Sequence, residues 1–364
     1  MSVSEQPFYV RLTFKLLLIV LVFYILGAAK DVLIPFTISV LFTFMLLPVS
    51  NLLIRWKIPR SLAILISILL AIVVVAGLLY FFYSQLLSFA EDLPLLQTKL
   101  IDKVEQVQIF IKKTFKISKA DQQMFLQSKI QEQAASSGLV LLSFFSATGT
   151  FLANLALIPI YVFFLTLYKD KFKQFVAVVA SDGKHEAFID IAKKVSRVSQ
   201  KYLKGIFLDV VILSVLNSIG FLILDLKHAI LFGVLASVLN IVPYIGVLIG
   251  SILPVVMALL TKDDIGYAIG AAGVCVFVQF LDNNFITPYV VGSSVSINPL
   301  TATIVLIISA SVWGLAGMVL CLPITGMIKV VCDNVERLKP YGFLIGEEVD
   351  YTKHRFKLRR NNKL

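Results

Sequence analysis

The feature that most constrains this chain is a run of three polar side chains between long apolar segments. Asp282, Asn283 and Asn284 follow directly on the apolar segment that ends at Leu281. A carboxylate at the centre of a helix in lipid costs about 2.5–3.5 kcal/mol on insertion scales, so it rarely stands there without a function. The run therefore predicts part of a permeation or binding site.

The composition places most of the chain in a membrane. Of its 364 residues, 58% are hydrophobic and 15% are charged, whereas soluble proteins have about 25% charged residues. The chain is therefore predicted to be an all-α, polytopic membrane protein. Its formal net charge of +11 is attributed to membrane topology and to contact with anionic lipid. Nucleic acid is not an expected partner, because no recognition motif is present.

Membrane spans are predicted from runs of about 20 apolar residues. The first run is longer than the apolar core of a signal peptide and is followed by Lys30 and Asp31, so it predicts a first membrane helix and not a cleaved signal. About eight spans are predicted: Leu12–Ala29, Val32–Ile54, Ser61–Tyr83, Gly138–Tyr168, Gly205–Leu224, Ala229–Leu260, Ile265–Phe285 and Pro299–Val331.

These spans divide the chain into six predicted regions. They are transmembrane helices 1–3 (residues 1–83), a small helical extracytoplasmic insert (84–137), transmembrane helix 4 (138–168), a cytoplasmic amphipathic helix (169–204), a C-terminal transmembrane core that contains the transport site (205–335) and a basic cytoplasmic tail (336–364). The stripe of apolar side chains in the amphipathic stretch suits either a helix lying at the membrane interface or a helix packing on a neighbouring subunit.

The distribution of Lys and Arg predicts the orientation. Basic residues cluster around positions 11–15, 55–60, 169–173 and 353–363. If the eight spans are simple crossings, all four clusters fall on one side, which is the cytoplasmic side. Both termini are therefore expected in the cytoplasm.

Helix-breaking residues interrupt two of the spans. Ala229–Leu260 is longer than one crossing needs and contains Pro243, Gly246 and Gly250, so it is either one broken, tilted helix or a re-entrant hairpin. The spacing of the two glycines also suits close helix packing. Broken backbone at membrane depth is tolerated only where protein or a water-filled cavity covers it.

A transport site is predicted where the broken segments meet. Gln279 lies three residues before Asp282 and shares its helix face, while interhelical hydrogen bonding is an equal alternative for Asn283 and Asn284. Asn217 is a weaker candidate, and Asp209 is expected in an interface charge pair. The predicted transport and ion-coupling residues are Asp282, Asn283, Asn284, Gln279 and Asn240, and the predicted backbone breaks lining the site are Pro243, Gly246, Gly250, Pro288, Gly292 and Pro299.

The sequence offers no signature of an enzyme. It contains no P-loop, no GxSxG nucleophile elbow and no HExxH zinc motif. Its three His and three Cys residues are too dispersed for a metal site. No catalysis, metal or cofactor is expected, and sodium or a proton is the expected coupling ion.

Three long strings carry a resemblance to a known family. They are NIVPYIGVLIGSILPVV (Asn240–Val256), QFLDNNFITPYVVGSSVSINPL (Gln279–Leu300) and WGLAGMVLCLPITGMIKVV (Trp313–Val331). Together they resemble the AI-2E transporter family of bacteria, also described as PerM-like permeases. Two features depart from the family: Asp282 stands where a Glu is common, and Asp225–Ala229 replaces a Gly-x-Pro-x-Ala-like loop.

The resemblance implies a multi-pass transporter of the bacterial inner membrane. Members are associated with export of the quorum-sensing signal autoinducer-2 (AI-2), and others with sodium or lithium/proton antiport. The expected function is ion-driven export of a small polar metabolite, with a cation/proton antiporter or a passive oligomeric pore as alternatives. The expected partners are a small solute or ion, membrane lipids and further copies of the chain.

Overall fold

The computed structural model describes residues 7–115, 156–179, 185–242, 245–290 and 297–347, and these ranges are almost entirely helical. The helices are α1 (Phe8–Ala28), α2 (Lys30–Arg55), α3 (Arg60–Phe115), α4 (Ala156–Leu167), α5 (Lys169–Val179), α6 (His185–Ile223), α7 (Ala229–Leu239), α8 (Ile245–Thr261), α9 (Ile265–Leu281), α10 (Thr287–Val290), α11 (Pro299–Asn334) and α12 (Lys339–Ile345). A π-helical turn, Asp282–Ile286, joins α9 to α10, and a 3₁₀ turn, Glu336–Leu338, precedes α12.

The predicted fold class is confirmed. Six helical stretches are long and apolar enough to cross a membrane, and α4, α7 and α8 are shorter apolar helices. Most large hydrophobic side chains on the long helices remain exposed, as expected where lipid and not water surrounds them. The chain is a multi-pass membrane protein.

Two predicted region boundaries fall inside continuous helices. Helix α3 passes through Tyr83, where the insert was expected to begin, and runs on to Phe115; the rest of the insert, residues 116–137, lies outside the described residues. Helix α6 likewise passes through Gly205, so the amphipathic stretch and the fifth span are one helix of 39 residues.

The chain forms two compact units. Unit 1 comprises Met1–Met45, Tyr168–Gly205 and Val291–Leu364, and unit 2 comprises Leu46–Leu167 and Ile206–Val290. The long helices α2 and α6 each contribute to both units.

In unit 2, α7 and α8 form a tight helical hairpin. A Cβ atom on Gly250 would lie 2.8 Å from Ala236 Cα, and one on Gly246 would lie 1.7 Å from Leu239 O. The later residue of α8, Gly250, meets the earlier residue of α7, Ala236, so the two helices are antiparallel. At 1.5 Å per residue they are about 17 and 26 Å long, shorter than the roughly 30 Å hydrocarbon core. The structure thus supports the re-entrant hairpin over the single broken helix.

Ion pairs close the open end of this hairpin. Asp225 precedes α7, Lys262 follows α8, and their side chains meet at 2.7 Å between Oδ2 and Nζ. In the same region Asp92 of α3 accepts from Lys227 and pairs with the buried His228, each at 2.6 Å. The two ends of the hairpin therefore lie side by side.

A hydrophobic core packs the same end of unit 2. The fully buried Phe221 of α6 belongs to this core, and Phe89 of α3 meets Phe232 of α7 edge to face at 5.8 Å between ring centroids. The buried core members are Leu96, Phe221, Leu226, Ala229, Phe232, Met257, Ala258, Leu260, Ala268 and Ala271.

In unit 1, α11 also folds back on itself. Gly314 has φ +59° and ψ −137°, a conformation that non-glycine residues avoid. A Cβ on Gly317 would lie 2.0 Å from Ser309 O, whereas a straight helix separates residues eight apart by about 12 Å along its axis. The indole N–H of Trp313 donates to Leu26 O at 2.9 Å, a carbonyl in the last turn of α1.

The two ends of α11 meet again through the residues that flank it. Asn298, the N-cap of α11, donates from Nδ2 to Leu344 O at 2.7 Å and to Gly346 O at 3.0 Å. A Cβ on Gly342 would clash with Asp333 near the other end of the helix. Helix α11 is therefore a second hairpin, closed at its base by α12.

The apolar stripe of the amphipathic stretch is packed within unit 1. Ile191 and Tyr202 of α6 are buried, and Lys194 Nζ donates to Asn334 Oδ1 at 2.8 Å. At these two positions the stripe therefore contacts the chain itself, and the two interpretations of the whole stripe from sequence stay predictions.

Gly246→Ala tests the hairpin in unit 2. Because the added methyl group would overlap the Leu239 carbonyl, the variant should lose about 1–3 kcal/mol of unfolding free energy and melt at a lower temperature in detergent. Gly77→Ala is the matched control, since no heavy atom lies within 4 Å of a Cβ there. Equal melting temperatures for the two variants would contradict the close packing of α7 on α8.

Candidate transport site

The site is built around a π-helical turn at the end of α9. The backbone N–H of Thr287 donates to the carbonyl of Asp282, five residues earlier. Residues five apart in a regular α-helix point about 140° away from each other, but the wider turn brings them onto one face. Thr287 Oγ1 consequently donates to Asp282 Oδ1 at 2.6 Å. Single π-turns inside helices are frequent at functional sites.

Asp282 is buried and held by side chains from two elements. Only 3% of the residue is exposed. Its Oδ2 atom accepts from Asn240 Nδ2 at 3.0 Å and from Gln279 Nε2 at 3.1 Å. The Asp282 side chain is therefore not solvated and caps no helix N-terminus, and its carboxylate is satisfied by three neutral donors.

The tip of the α7–α8 hairpin supplies one of these donors. Asn240 is the residue directly after α7, where the chain turns toward α8. Its amide reaches across to the π-turn, so the two interrupted segments predicted from sequence do meet. Gln279, one turn before Asp282 on α9, also donates to Asn283 Oδ1 at 3.1 Å.

A second carboxyl faces the first. The side chain of Asp209, from α6, lies against that of Asp282 at hydrogen-bonding range. Asp209 Oδ1 is shut off from solvent and has no hydrogen-bond partner among the described residues. Within those residues no Lys, Arg or His forms an ion pair with either carboxyl. The prediction of an interface charge pair for Asp209 is wrong.

A small cavity adjoins the carboxyl pair. Its volume is about 30 Å³, large enough to hold water, and Asn240 and Gln279 are in its wall. Two other residues of the cavity wall are joined by a hydrogen bond, in which Asn217 Nδ2 donates to Ser237 Oγ at 3.3 Å. The lining residues are Leu213, Asn217, Ala236, Ser237, Asn240, Val247, Ser251, Cys275, Val278 and Gln279. A cavity of mixed polar and apolar lining thus lies between α6, the hairpin and α9.

The other predicted site residues take different places. Asn284 is exposed and donates back to Phe280 O in its own helix at 2.8 Å. Pro288 is exposed in α10, and Pro299 begins α11 in unit 1. Gly246 and Gly250 serve the packing of the hairpin and do not line the cavity. Pro243 and Gly292 lie outside the described residues.

Sequence reasoning missed Thr287 and misjudged Asp209. The i, i+5 spacing from Asp282 to Thr287 matches no face of an α-helix, so only the π-turn reveals the contact. Asp209 follows Lys201 and Lys204 closely in sequence, and this local charge pattern hid its pairing with a distant acid. The signal that could have found the role of Asp209 is the spacing of Asp209, Leu213 and Asn217. Residues four apart share a helix face, so the polar side chains of Asp209 and Asn217 lie on one face of α6.

The architecture and the buried acid agree with the family to which the sequence corresponds. The profile of the AI-2E family of transporters matches residues 14–337, which is most of the chain. The chain belongs to the AI-2E transporter family. The resemblance stated from its three strings is confirmed.

Several relatives of this AI-2E family member are similar over nearly their whole length. YueF of Bacillus subtilis, provisionally named as a transport protein, is 29% identical over 358 residues, covering 90% of this chain and 93% of YueF. YrrI of the same organism, named in the same way, is 24% identical over 355 residues, covering 91% and 96%. TqsA of Escherichia coli, named as an AI-2 transport protein, is 24% identical over 316 residues, covering 84% and 87%.

Thr287→Val tests the hydrogen bond made by the π-turn. The variant leaves a buried carboxylate with one donor fewer, so it should lose about 1–3 kcal/mol of unfolding free energy. Thr303→Val is the control, because Thr303 is exposed and its hydroxyl bonds only to the Pro299 carbonyl of its own helix. Equal unfolding free energies for the two variants in detergent would show that the Thr287 contact adds nothing.

Proposed function

We propose that this chain is a secondary transporter of the bacterial inner membrane that exports a small polar metabolite resembling AI-2, driven by an ion gradient. The transport class follows from the family. The AI-2-like substrate is suggested by TqsA, whose name gives AI-2 transport. A role in quorum sensing is part of the same proposal.

One observation carries the ion coupling. Asp282 is buried, is held by three neutral donors, and has no cationic partner among the described residues. A structural ion pair would have placed a Lys or Arg beside it. An acid kept without a counter-charge in the membrane suits a residue that binds and releases an ion during transport.

The tip of the α7–α8 hairpin is the element proposed to move. Asn240 joins the hairpin to Asp282 through a single hydrogen bond, so charging or discharging the carboxyl changes what holds the tip in place. Interrupted helices that meet at a buried site are a recurrent design in secondary transporters. Gln279 and Asn283 are proposed to contact the solute when the tip withdraws.

A sodium or lithium/proton antiporter is the second candidate, and the cavity favours it. A space of about 30 Å³ admits water or small ions and is far smaller than the pockets of about 300–1,000 Å³ that hold organic ligands. In the antiporter the site needs only a small rearrangement to exchange ions, whereas metabolite export requires the hairpin to open wide.

Both termini are proposed to face the cytoplasm. The α7–α8 hairpin returns to the side from which it started, because Asp225 and Lys262 meet at its base. The α11 hairpin does the same, through Asn298 and Gly346. The remaining spans are α1, α2, α3, α6, α9 and the predicted span that ends in α4, and six crossings bring the chain back to its starting side.

Cysteine labelling tests the re-entrant hairpin. Lys227→Cys and Lys262→Cys should react with a membrane-impermeant maleimide from the same side of intact cells, because both residues sit at the base of one hairpin. Eight simple crossings would place them on opposite sides. Opposite labelling would contradict the hairpin, and the native Cys275, Cys321 and Cys332 are replaced beforehand to remove background.

We also propose that the transporter contacts anionic lipid through its basic clusters and assembles as a homo-oligomer, without cofactor or metal. The extensive exposed apolar surface on its helices is consistent with lipid and with a second copy alike. No catalytic role is proposed, in keeping with relatives named for transport.

Asp282→Asn tests the coupling. Proteoliposomes containing the purified chain are loaded with AI-2 or with sodium chloride, and solute and proton flux are followed after imposing a pH or sodium gradient. Gradient-driven flux should be lost in Asp282→Asn, because an amide cannot carry the charge, while expression stays normal. Asp263→Asn, the same change at an exposed residue, should transport like the wild type.

The outcomes separate the candidate functions. Sodium-dependent proton movement without organic solute indicates the antiporter, and AI-2 movement that requires a gradient indicates the exporter. Flux that ignores both gradients indicates a passive pore. Wild-type coupled flux in Asp282→Asn removes Asp282 from the mechanism.

A further inference from the structure

We propose that Asp209 and Asp282 hold one proton between them, with the proton resting on Asp209, and that proton coupling depends on both residues. This inference deepens the proposed function, on which its transport part rests. The hydrogen-bonded carboxyl pair is the proton-binding site, and the small cavity beside it is the route by which the proton arrives.

Helix packing places the two acids opposite each other. Helix α6 lies closely against α7, where a Cβ on Gly233 would meet Ser218 Oγ at 2.2 Å. It also contacts α9, where a Cβ on Gly220 would meet the Val274 side chain at Cγ1, 2.4 Å away. These contacts place α6 beside α7 and α9, and its Asp209 side chain lies against that of Asp282.

The face of α6 connects Asp209 to the cavity. Asp209, Leu213 and Asn217 are spaced four residues apart and follow one side of the helix. Leu213 and Asn217 line the cavity, as do Asn240 and Gln279, the two amides that donate to Asp282. The cavity therefore lies beside the amides that hold Asp282 and along the face of α6 that bears Asp209, inside unit 2.

Charge repulsion requires the proton. Two carboxylates in contact and away from water cannot both remain ionised, so a pair of this kind retains one proton. The described side chains that donate to Asp282 are Asn240, Gln279 and Thr287, all neutral. No cationic side chain among the described residues relieves the repulsion.

The distribution of donors decides which acid holds the proton. Asp282 accepts three hydrogen bonds, which stabilise its ionised form. Asp209 Oδ1 accepts none from the described residues and is closed to solvent, so that oxygen has no donor to stabilise a negative charge. The protonated Asp209 hydroxyl donates to the Asp282 carboxylate, and this hydrogen bond holds the pair at a net charge of minus one.

Opening the site reverses this balance. Once water reaches the pair, the proton leaves Asp209 for water and both carboxylates are ionised, with a net charge of minus two. Closing over the pair again requires one proton, or one monovalent cation in its place. Each closing step thus takes up one positive charge, which is the stoichiometry that a coupled transporter needs.

Infrared spectroscopy tests the shared proton without transport. The full chain is reconstituted in lipid vesicles, and difference spectra are recorded on changing pH. The wild type should show the carbonyl band of one protonated, buried carboxyl. Asp209→Asn should remove the band, Asp282→Asn should displace it because the acceptor has gone, and Asp263→Asn should leave it unchanged. A band unaltered in Asp209→Asn or in Asp282→Asn overturns the shared proton.

Flux measurements separate this inference from the proposed function. In sodium-loaded or AI-2-loaded proteoliposomes, Asp209→Asn should lose proton coupling as Asp282→Asn does. If the wild type is coupled and Asp209→Asn keeps that coupling, the inference is overturned while the role of Asp282 stands. If the wild type shows no coupled flux but the infrared band behaves as expected, the proposed function fails and the shared proton stands.

Discussion

The constraint on which the site depends is that a buried carboxylate needs hydrogen-bond donors wherever water is absent. Asp282 obtains these donors from its own helix and from the hairpin tip. One regular helix face could supply only Gln279, so the chain adds a π-turn that brings Thr287 round and a hairpin that brings Asn240 in. The irregular backbone at the site is therefore the means by which one acid is kept in the membrane.

The same rule, applied to the backbone, explains the two hairpins. A helix that ends inside the membrane leaves carbonyl and N–H groups without partners unless protein covers them. Asn240, at the end of α7, lines a cavity together with residues of α6 and α9, and the indole of Trp313, at the bend of α11, donates to the last turn of α1. Both hairpins are closed at their bases, by an ion pair in one and by an asparagine cap in the other.

The cavity beside the carboxyl pair is small, with a volume of about 30 Å³. In the proposed export function a larger solute therefore requires the hairpin tip to withdraw from Asp282. A hydrogen bond from Asn240 links the tip to Asp282, so in the proposed mechanism the protonation of the pair acts on the position of the tip through direct contact. No long-range pathway is needed in that proposal.

The sequence by itself determined the membrane class, the family and the importance of Asp282, because apolar runs and a lone acid within them have few physical explanations. It also predicted Gln279 from helical periodicity and Asn240 from the nearby helix break. Thr287 depended on a π-turn, which no residue pattern announces. Asp209 depended on the packing of α6 against α9, and only the tertiary structure brings together two acids so far apart in the chain, because their contact is decided by which helix faces meet and not by local sequence.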